Sequence, residues 1–450
     1  MKQDGKHTVK KVGIIGFGEM GKRSAKEFEE ATDGLIEIAA VFDPNKAQYE
    51  EGCRWLGRRP RYYDSIAGMI GAEKLDGVYI ASPNYLHLAN IRELEKLLPR
   101  SQNANVTILL EKPLDTELSK ICEVVRFSLR HPGHIIVEHP MRYAPIVTKA
   151  KELIAAGEIG QVTSANLSEY LGMNGSTPYR RTVEHLGTMM LAKGTHDLDV
   201  LLYVLEALPV RVAGSSKPSK IVRDKADDLH CSDCADSLNC PYNHNRHQRN
   251  IENLRDIDFH TDWCVLSKKI NIPDDEACLI EFTNNTFATF GSYCGSWGLG
   301  REYVINGTAG RMRILFNGQR YREMECDGCI IVYKNGGYEM DSSQKYDFLY
   351  HGKIHYDGGP YMARHFYEVM CGESKPFTTV SQAFAAELIS LTSLESEKDK
   401  TFKSVLDLVP DDLKDLFLST GWERLSKAVL YQSQESGGRG TAFFRHSRLT

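Results

Sequence analysis

The sequence predicts an α/β chain in two parts, an N-terminal doubly wound parallel sheet and a C-terminal α+β domain with a large antiparallel sheet. Three observations predict it. A Gly-x-Gly-x-x-Gly turn, Gly16 to Gly21, follows the apolar run 11–15 and opens a helical stretch. As far as about residue 140, short apolar runs alternate with helix-length segments, the pattern of parallel strands joined by crossover helices. Beyond residue 160 the apolar runs follow one another through short turns such as Asn284-Asn285, the pattern of antiparallel hairpins.

Taken in order, the first part reads as strand 11–15, helix 22–31, strand 35–42, helix 46–57, strand 61–63, helix 65–71, strand 75–81, helix 86–98, strand 105–110, helix 115–130 and strand 134–138. The run 105–110 is apolar, rich in β-favouring residues and free of Gly and Pro, which suits a strand buried on both faces. It stops on Glu111-Lys112-Pro113. Ligands bind beyond the C-terminal ends of such strands, so this charged pair either meets a ligand or forms a surface pair before the next helix. Pro113 biases Lys112 towards extended backbone angles.

The second part reads as helix 146–156, strand 161–171, helix 187–207 and strands 210–215, 277–283, 286–294, 302–306, 312–316, 321–325 and 330–333. Helices 359–371 and 380–398 follow, then an amphipathic stretch 411–431 and a Gly-, Ser- and Arg-rich end, read as disordered, from Ser433. The expected domains are therefore 1–140, 141–405 with a polar, Cys-rich insertion over 216–263, and 406–450.

The chain has 450 residues, 42% of them hydrophobic and 26% charged, with a net charge of -5. The mixed charge points to no nucleic-acid or membrane-surface partner. No apolar run approaches the roughly 18 residues of a membrane span, and the N-terminus lacks a signal-peptide core, so a cytoplasmic protein is expected. Eleven cysteines default to thiols or metal ligands there.

The glycine turn, with Phe17, Glu19 and Met20 between its glycines, is a pyrophosphate cradle: Gly16, Gly18 and Gly21 admit close backbone approach, and the helix N-terminus offers N–H groups. Asp43 ends the next strand about twenty residues on, where an acid takes the ribose hydroxyls. A carboxylate there favours NAD over NADP. Ser82-Pro83-Asn84 and His87 form a further polar cluster at a strand end. On the helix 187–207, Lys193, His196 and Asp199 or Val200 share a face, while Leu191, Thr195, Leu198, Leu202 and Leu205 line another.

Gly16-x-Gly18-x-x-Gly21, Asp43, Ser82-Pro83-Asn84 with His87, Glu111-Lys112-Pro113, Arg142-Tyr143-x-Pro145 and Gly194-Thr195-His196-Asp197-Leu198-Asp199 together resemble the motif series of the glucose-fructose oxidoreductase / inositol dehydrogenase / MocA family. The resemblance covers roughly residues 10–400. It implies a Rossmann domain with an open-faced antiparallel sheet, NAD or NADP as cofactor, a small sugar-like or polyol substrate, and a homo-oligomer formed through that sheet. It also implies that Lys112 is catalytic, that His196 is the acid–base group, and that Ser82, Asn84, His87, Glu111 and Arg142 lie about the cofactor. Several members carry an Asp four residues before that His. The position is Ala192 here, with Lys193 beside it.

Cys231, Cys234 and Cys240 have knuckle-like spacing and, with His230 or His244, would complete a tetrahedral zinc site, the other reading being free loop thiols. A polar insertion cannot order itself by burial, and a structural metal supplies that energy. Cys326-Asp327-Gly328-Cys329 reads instead as a two-residue hairpin turn between edge thiols. The expected function is hydride transfer between a sugar, polyol or glycoside hydroxyl and nicotinamide. The alternatives are a redox-neutral glycosidase or isomerase that retains its NAD, and a nucleotide-sensing protein that has lost catalysis.

Overall fold

A computed structural model describes residues 8–171, 182–218, 222–227, 229–243, 264–294, 300–316, 326–334, 343–351, 355–419 and 446–448. The expected strand 321–325, His244 and the tail from Ser433, except for His446–Arg448, which forms a strand where disorder is expected, lie outside them. The chain divides into two compact units, Met1–Tyr143 with Gly358–Phe384, and Ala144–Asp357 with Ala385–Thr450.

In the first unit, strands β1 (Lys10–Ile15), β2 (Ile36–Phe42), β3 (Arg61–Tyr63), β4 (Gly77–Ile80), β5 (Thr107–Leu110) and β6 (Ile135–Val137) alternate with helices α1 (Glu19–Ala31), α2 (Lys46–Leu56), α3 (Ile66–Ala72), α4 (His87–Leu97) and α5 (Leu118–Arg130). All pairings among these strands are parallel, in the order β3-β2-β1-β4-β5-β6. That order reverses between β1 and β4, and such a switch point opens a ligand crevice at the strands' C-terminal ends. Every residue of β4, β5 and β6 is buried, as two helical layers require.

The sequence places the helix near 359–371 with the second domain, but the structure packs it on the first. Its range is Gly358–Met370, here α9, and it inserts Met362, Phe366, Tyr367 and Val369 into the core formed by Val12, Phe28, Ile38 and Tyr79. Phe28 meets Phe366 edge to face at 5.8 Å and Tyr79 at 5.3 Å. Full burial of a side chain the size of Phe366 stabilises by about 1.5–3 kcal/mol.

The second unit contains α6 (Pro145–Ala155), the short α7 (Val183–Leu186), α8 (Thr195–Leu205) and a sheet of β7 (Val162–Tyr170), β8 (Pro209–Lys217), β9 (Asp275–Phe282), β10 (Phe287–Tyr293), β11 (Gly300–Gly307), β12 (Gly310–Leu315), β13 (Gly328–Lys334), β14 (Ser343–Phe348), β15 (Lys403–Ser404) and β16 (His446–Arg448). The order is β15-β8-β9-β10-β7-β11-β12-β13-β14-β16. Strict alternation of burial along β9 is the period of two that marks strands from sequence. The expected purely antiparallel sheet is corrected at one place: β7 and β10 pair in parallel, because β7 inserts between β10 and β11. The remaining helices are α10 (Val380–Asp399) and α11 (Asp411–Leu418).

Two other expectations are revised. The helix 187–207 is broken: Met190–Gly194 is a π-helical turn that leads into α8. Asp327-Gly328 is not a hairpin turn, since Gly328 opens β13 opposite Phe348 and the Asp327 N–H donates to the Phe348 carbonyl. Cys326 and Cys329 are therefore buried beside a strand paired on both sides, not edge thiols.

Candidate active site

The glycine turn joins β1 to α1 at the switch point. Gly16 has φ +89°, and a Cβ there would come within 2.7 Å of the Ser82 backbone, so only glycine lets the loops after β1 and β4 approach. Gly18 is the N-cap of α1, has no side chain to occupy the free N–H groups of the first turn, and a Cβ on it would meet nothing within 4 Å. Open space in front of uncapped helix N–H groups fits a dinucleotide pyrophosphate, with Glu19 and Met20 in that first turn. Gly21 lies against the Gly16 carbonyl and holds α1 close to the strand.

Phe17 takes a different task from the one expected. Its ring is fully buried against Gly52 of α2, and its N–H donates to Asp43 Oδ2 at 2.7 Å. Asp43 also accepts the Asn45 N–H at 2.8 Å through Oδ1. Each carboxylate oxygen retains acceptor capacity after one bond, so Asp43 can still receive ribose hydroxyls, now from a fixed orientation.

The Ser82 loop is braced from below. Asn90 Nδ2 donates to Ser82 Oγ at 2.6 Å, and Asn84 begins a short 3-10 turn, Asn84–Leu86. His87 is fully buried, with Nδ1 2.7 Å from the Pro113 carbonyl and Nε2 3.0 Å from the Ser82 carbonyl. Burial holds its pKa below the usual value against the pull of those carbonyls. His87 thus sits between the Ser82 loop and the Lys112-Pro113 turn with each ring nitrogen facing a backbone carbonyl, one of which its single N–H can bond when the ring is neutral. Arg142 is corrected likewise: it is fully buried and donates to the Phe377 carbonyl and to Gln382 Oε1, both at 2.7 Å. It fixes the segment that follows α9.

Glu111 continues β5 and is buried, while Lys112 is half-buried and precedes a cis peptide bond to Pro113. The Tyr79 hydroxyl lies 2.8 Å from Glu111 Oε1, 2.6 Å from Glu138 Oε2 and 3.1 Å from Ser24 Oγ. Burial, and then the adjacent Glu111, push the Glu138 carboxyl well above the usual range. Glu111 is in this way locked into the sheet's own polar network, and Lys112 is the group of this turn that the network leaves half-exposed.

In the second unit all of α8 is buried, including His196, Asp197 and Asp199, so its amphipathic pattern does not describe a surface helix. Gly194 ends the π turn, and a Cβ on it would stand 2.6 Å from the Phe290 ring, which explains a glycine in mid-helix. Lys193 is exposed. The His196 ring packs on the His355 ring at 4.6 Å between centroids. Beside it, Arg301 of β11 donates to Asp197 Oδ1 at 2.8 Å, to the Tyr356 hydroxyl at 3.0 Å and to Glu169 of β7. Tyr303 donates to Asp197 as well. Burial raises the Asp197 carboxyl to about 7 even though Arg301 opposes it.

Sequence reasoning missed Glu169, Arg301, Tyr303, His355 and Tyr356. One local signal exists for the last two, a His-Tyr-Asp run ahead of Gly358-Gly359, and the structure holds His355, Tyr356 and Asp357 at φ +54°, +60° and +65°. Three consecutive non-glycine residues in the left-handed region are strained, a state that persists where surrounding contacts enforce it.

In the insertion, Cys231 is buried and Cys234 and Cys240 are half-buried. Among the described residues, only Cys326, Cys329 and Asp347 bring three ligand atoms within 4.8 Å of one another, so the knuckle thiols stand wider than a closed metal site. No helix among the described residues is long and apolar enough to cross a membrane.

Residues 10–128 match the oxidoreductase family with an NAD-binding Rossmann fold, and residues 147–313 match the GFO/IDH/MocA C-terminal domain. The putative oxidoreductase YteT of Bacillus subtilis is 23% identical over 273 residues, 55% of this chain and 62% of that protein. The scyllo-inositol 2-dehydrogenase (NAD(+)) of Bacillus subtilis is 25% identical over 214 residues, 47% of this chain and 58% of that protein. The chain thus spans about six-tenths of the length of the curated relatives it matches. Among solved structures, an Agrobacterium radiobacter oxidoreductase in complex with NAD+, L-tartaric acid and magnesium aligns with a TM-score of 0.65 at 15% identity, over 89% of this chain and 100% of that one. Levoglucosan dehydrogenase with NADH and levoglucosan aligns at 0.68 and 16%, over 88% and 99%. At these identities the likeness is one of fold.

Proposed function

Since this chain belongs to the GFO/IDH/MocA oxidoreductase family, we propose that it is an NAD-dependent oxidoreductase that moves hydride between a hydroxyl of a sugar, polyol or glycoside and nicotinamide. The observation that carries the cofactor half is Gly18, open in front of the α1 N-terminus at the strand-order switch, with Asp43 oriented at the end of β2. The bound nicotinamide supplies a hydride acceptor. The substrate half draws on relatives named for inositol and xylose oxidation and on the residue types at the two acid–base positions.

Alcohol oxidation requires a base for the hydroxyl proton and a positive group near the oxygen as negative charge develops on it. Lys112 is assigned the second role: its turn is fixed by His87, and its ammonium leaves a strand end where the neighbouring carboxylate is already engaged. His196 is assigned the first role, because an imidazole titrates near neutrality. Its ring is held against His355, next to the Asp197–Arg301 pair. Asp43 makes NAD the preferred form, since a carboxylate repels the 2'-phosphate of NADP.

The test is a panel of sugars, polyols and glycosides with purified protein and NAD, read as reduced nicotinamide. A substrate whose oxidation follows NAD concentration supports the assignment. Glycoside cleavage without net reduced nicotinamide would replace it with redox-neutral chemistry, and nucleotide binding with no turnover on any class would replace it with a sensor.

A further inference from the structure

The insertion between β8 and β9 is anchored at its base and thinly held above it. Arg223 and Asp274 pair through two bonds of 2.5 and 2.8 Å, with Asp274 fully buried. Lys225 then bridges to Ser267, its N–H donating to the Leu266 carbonyl and its own carbonyl accepting from Lys268. Apolar burial does not order the next residues, since Leu238 is 83% exposed and Val222 72%. What the chain does gather there is cysteine.

Cys231-Ser-Asp-Cys234 is a single 3-10 turn closed by the Cys234 N–H on the Cys231 carbonyl at 3.3 Å. Cys240 lies six residues on, and Asn243, itself buried, folds that segment back by donating to the Ser237 carbonyl and hydroxyl at 2.9 and 2.8 Å. A fourth cysteine arrives from the far end of the insertion. The Cys264 N–H donates at 2.9 Å to the Leu229 carbonyl, two residues before Cys231, and both Cys231 and Cys264 are buried.

We propose that Cys231, Cys234, Cys240 and Cys264 bind one zinc ion that joins the two ends of the insertion into a structural knuckle. Four thiolates make a closed tetrahedral site with Zn–S distances of about 2.3 Å and no open position for catalysis. Cys264 takes the place that the sequence offered to His230 or His244. Lys225, paired with Asp236 at 3.1 Å, places a positive charge in the same segment. The sulfurs stand wider than a closed site, and Cys234 and Cys240 are half-buried, so the ion must draw them together. The trio Cys326, Cys329 and Asp347 is a weaker candidate. It offers three donors, its carboxylate is paired with Lys345 at 2.8 Å, and the sheet orders it without a metal.

The test uses the full chain, with zinc as the probe for content and cobalt as the spectroscopic substitute. The wild type is expected to hold one zinc per chain, and its cobalt form to show intense thiolate charge-transfer and tetrahedral ligand-field bands. Cys264→Ser and Cys234→Ser are expected to lose the ion or the four-thiolate spectrum while nucleotide binding is unchanged, which shows that the chain still folds. The double change Cys326→Ser with Cys329→Ser is expected to leave zinc and spectrum intact. Absence of zinc uptake by the wild type, an unaltered spectrum in Cys264→Ser, or loss of the ion in the Cys326/Cys329 variant would each overturn the proposal.

Discussion

At the scale of single residues, the two units treat charge differently. Lys112 leaves its strand end half-buried, whereas Arg301 is enclosed with Asp197 and Glu169 around it. Lys112→Ala is therefore expected to fold normally, keep NAD affinity near wild type and lower turnover by about a hundredfold or more, the scale of one acid–base or electrostatic group. Steady-state rates beside calorimetric NAD binding check both halves, and wild-type turnover in this variant would remove Lys112 from the chemistry. Arg301→Met acts on folding instead. It leaves two buried carboxylates without their cation, and breaking a buried ion pair from one side costs about 3–5 kcal/mol. Chemical denaturation measures that loss, and a neutral result would mean that the network does not hold the His196 helix. Asp43→Ala should narrow the preference for NAD over NADP, and it also removes the acceptor of the Phe17 and Asn45 N–H groups. A somewhat lower affinity for both nucleotides is expected, with the larger loss for NAD.

At the scale of elements, Gly194 links the π turn to α8 and so sets the phase at which His196 emerges. Gly194→Ala puts a methyl group 2.6 Å from the Phe290 ring and should destabilise by about 1–3 kcal/mol, the usual cost of overpacking. Phe290→Leu in the same chain should recover part of that loss, and a double-mutant cycle on melting temperature would show whether the two positions couple. Additive losses would place the strain elsewhere. This junction marks how far the sequence could be read. Strands β4, β5 and β6 and the glycine turn are legible because burial on both faces and a φ of +89° each restrict composition strongly. A π turn adds one residue to a helical turn without a compositional mark, and the face shared by Lys193 and His196 in the sequence is divided in the structure, Lys193 exposed and His196 buried. The Asp197–Arg301–Glu169 network was illegible for a different reason. Its members come from a helix and two strands, Arg301 lying 104 residues from Asp197 and 132 from Glu169, and no local spacing joins them. His87 and Arg142 were identified as important positions, but their full burial, which makes them struts instead of ligands, is a tertiary property.

At the scale of the whole molecule, both units bury carboxyls whose proton affinity folding increases. Glu276 of β9 accepts the Met190 N–H at 2.7 Å at the start of the π turn, yet its burial raises it to about 7. Asp197 stands at about 7 as well, and Glu138 is well above the usual range, in each case chiefly through burial. At these carboxyls, between the ordinary range near pH 4 and pH 7, the folded chain therefore binds more protons than the unfolded chain, opposed below about pH 6.5 by His87 and His131, whose imidazoles burial lowers. Stability changes with pH in proportion to protons bound unfolded minus protons bound folded, a negative difference here, so it must fall as pH rises through this window. The stabilisation is complete below pH 4 and is lost by about pH 7, where Glu276 and Asp197 ionise. Exposed carboxylates held low by lysine or arginine, such as Glu50 and Asp399, act only below that window and oppose it on the acid side. Thermal melting at pH 5 and pH 8 should accordingly show a lower midpoint at pH 8, by about 5 °C for a cost of one to two kcal/mol in a unit of this size. Glu276→Gln separates the source from the background. The amide oxygen still accepts the Met190 N–H, and the side chain no longer ionises, so the variant should melt above wild type at pH 8 and show a shallower slope between the two pH values. A midpoint that climbs from pH 5 to pH 8, or an unchanged slope in Glu276→Gln, would mean that these carboxyls are solvated more strongly than their burial implies.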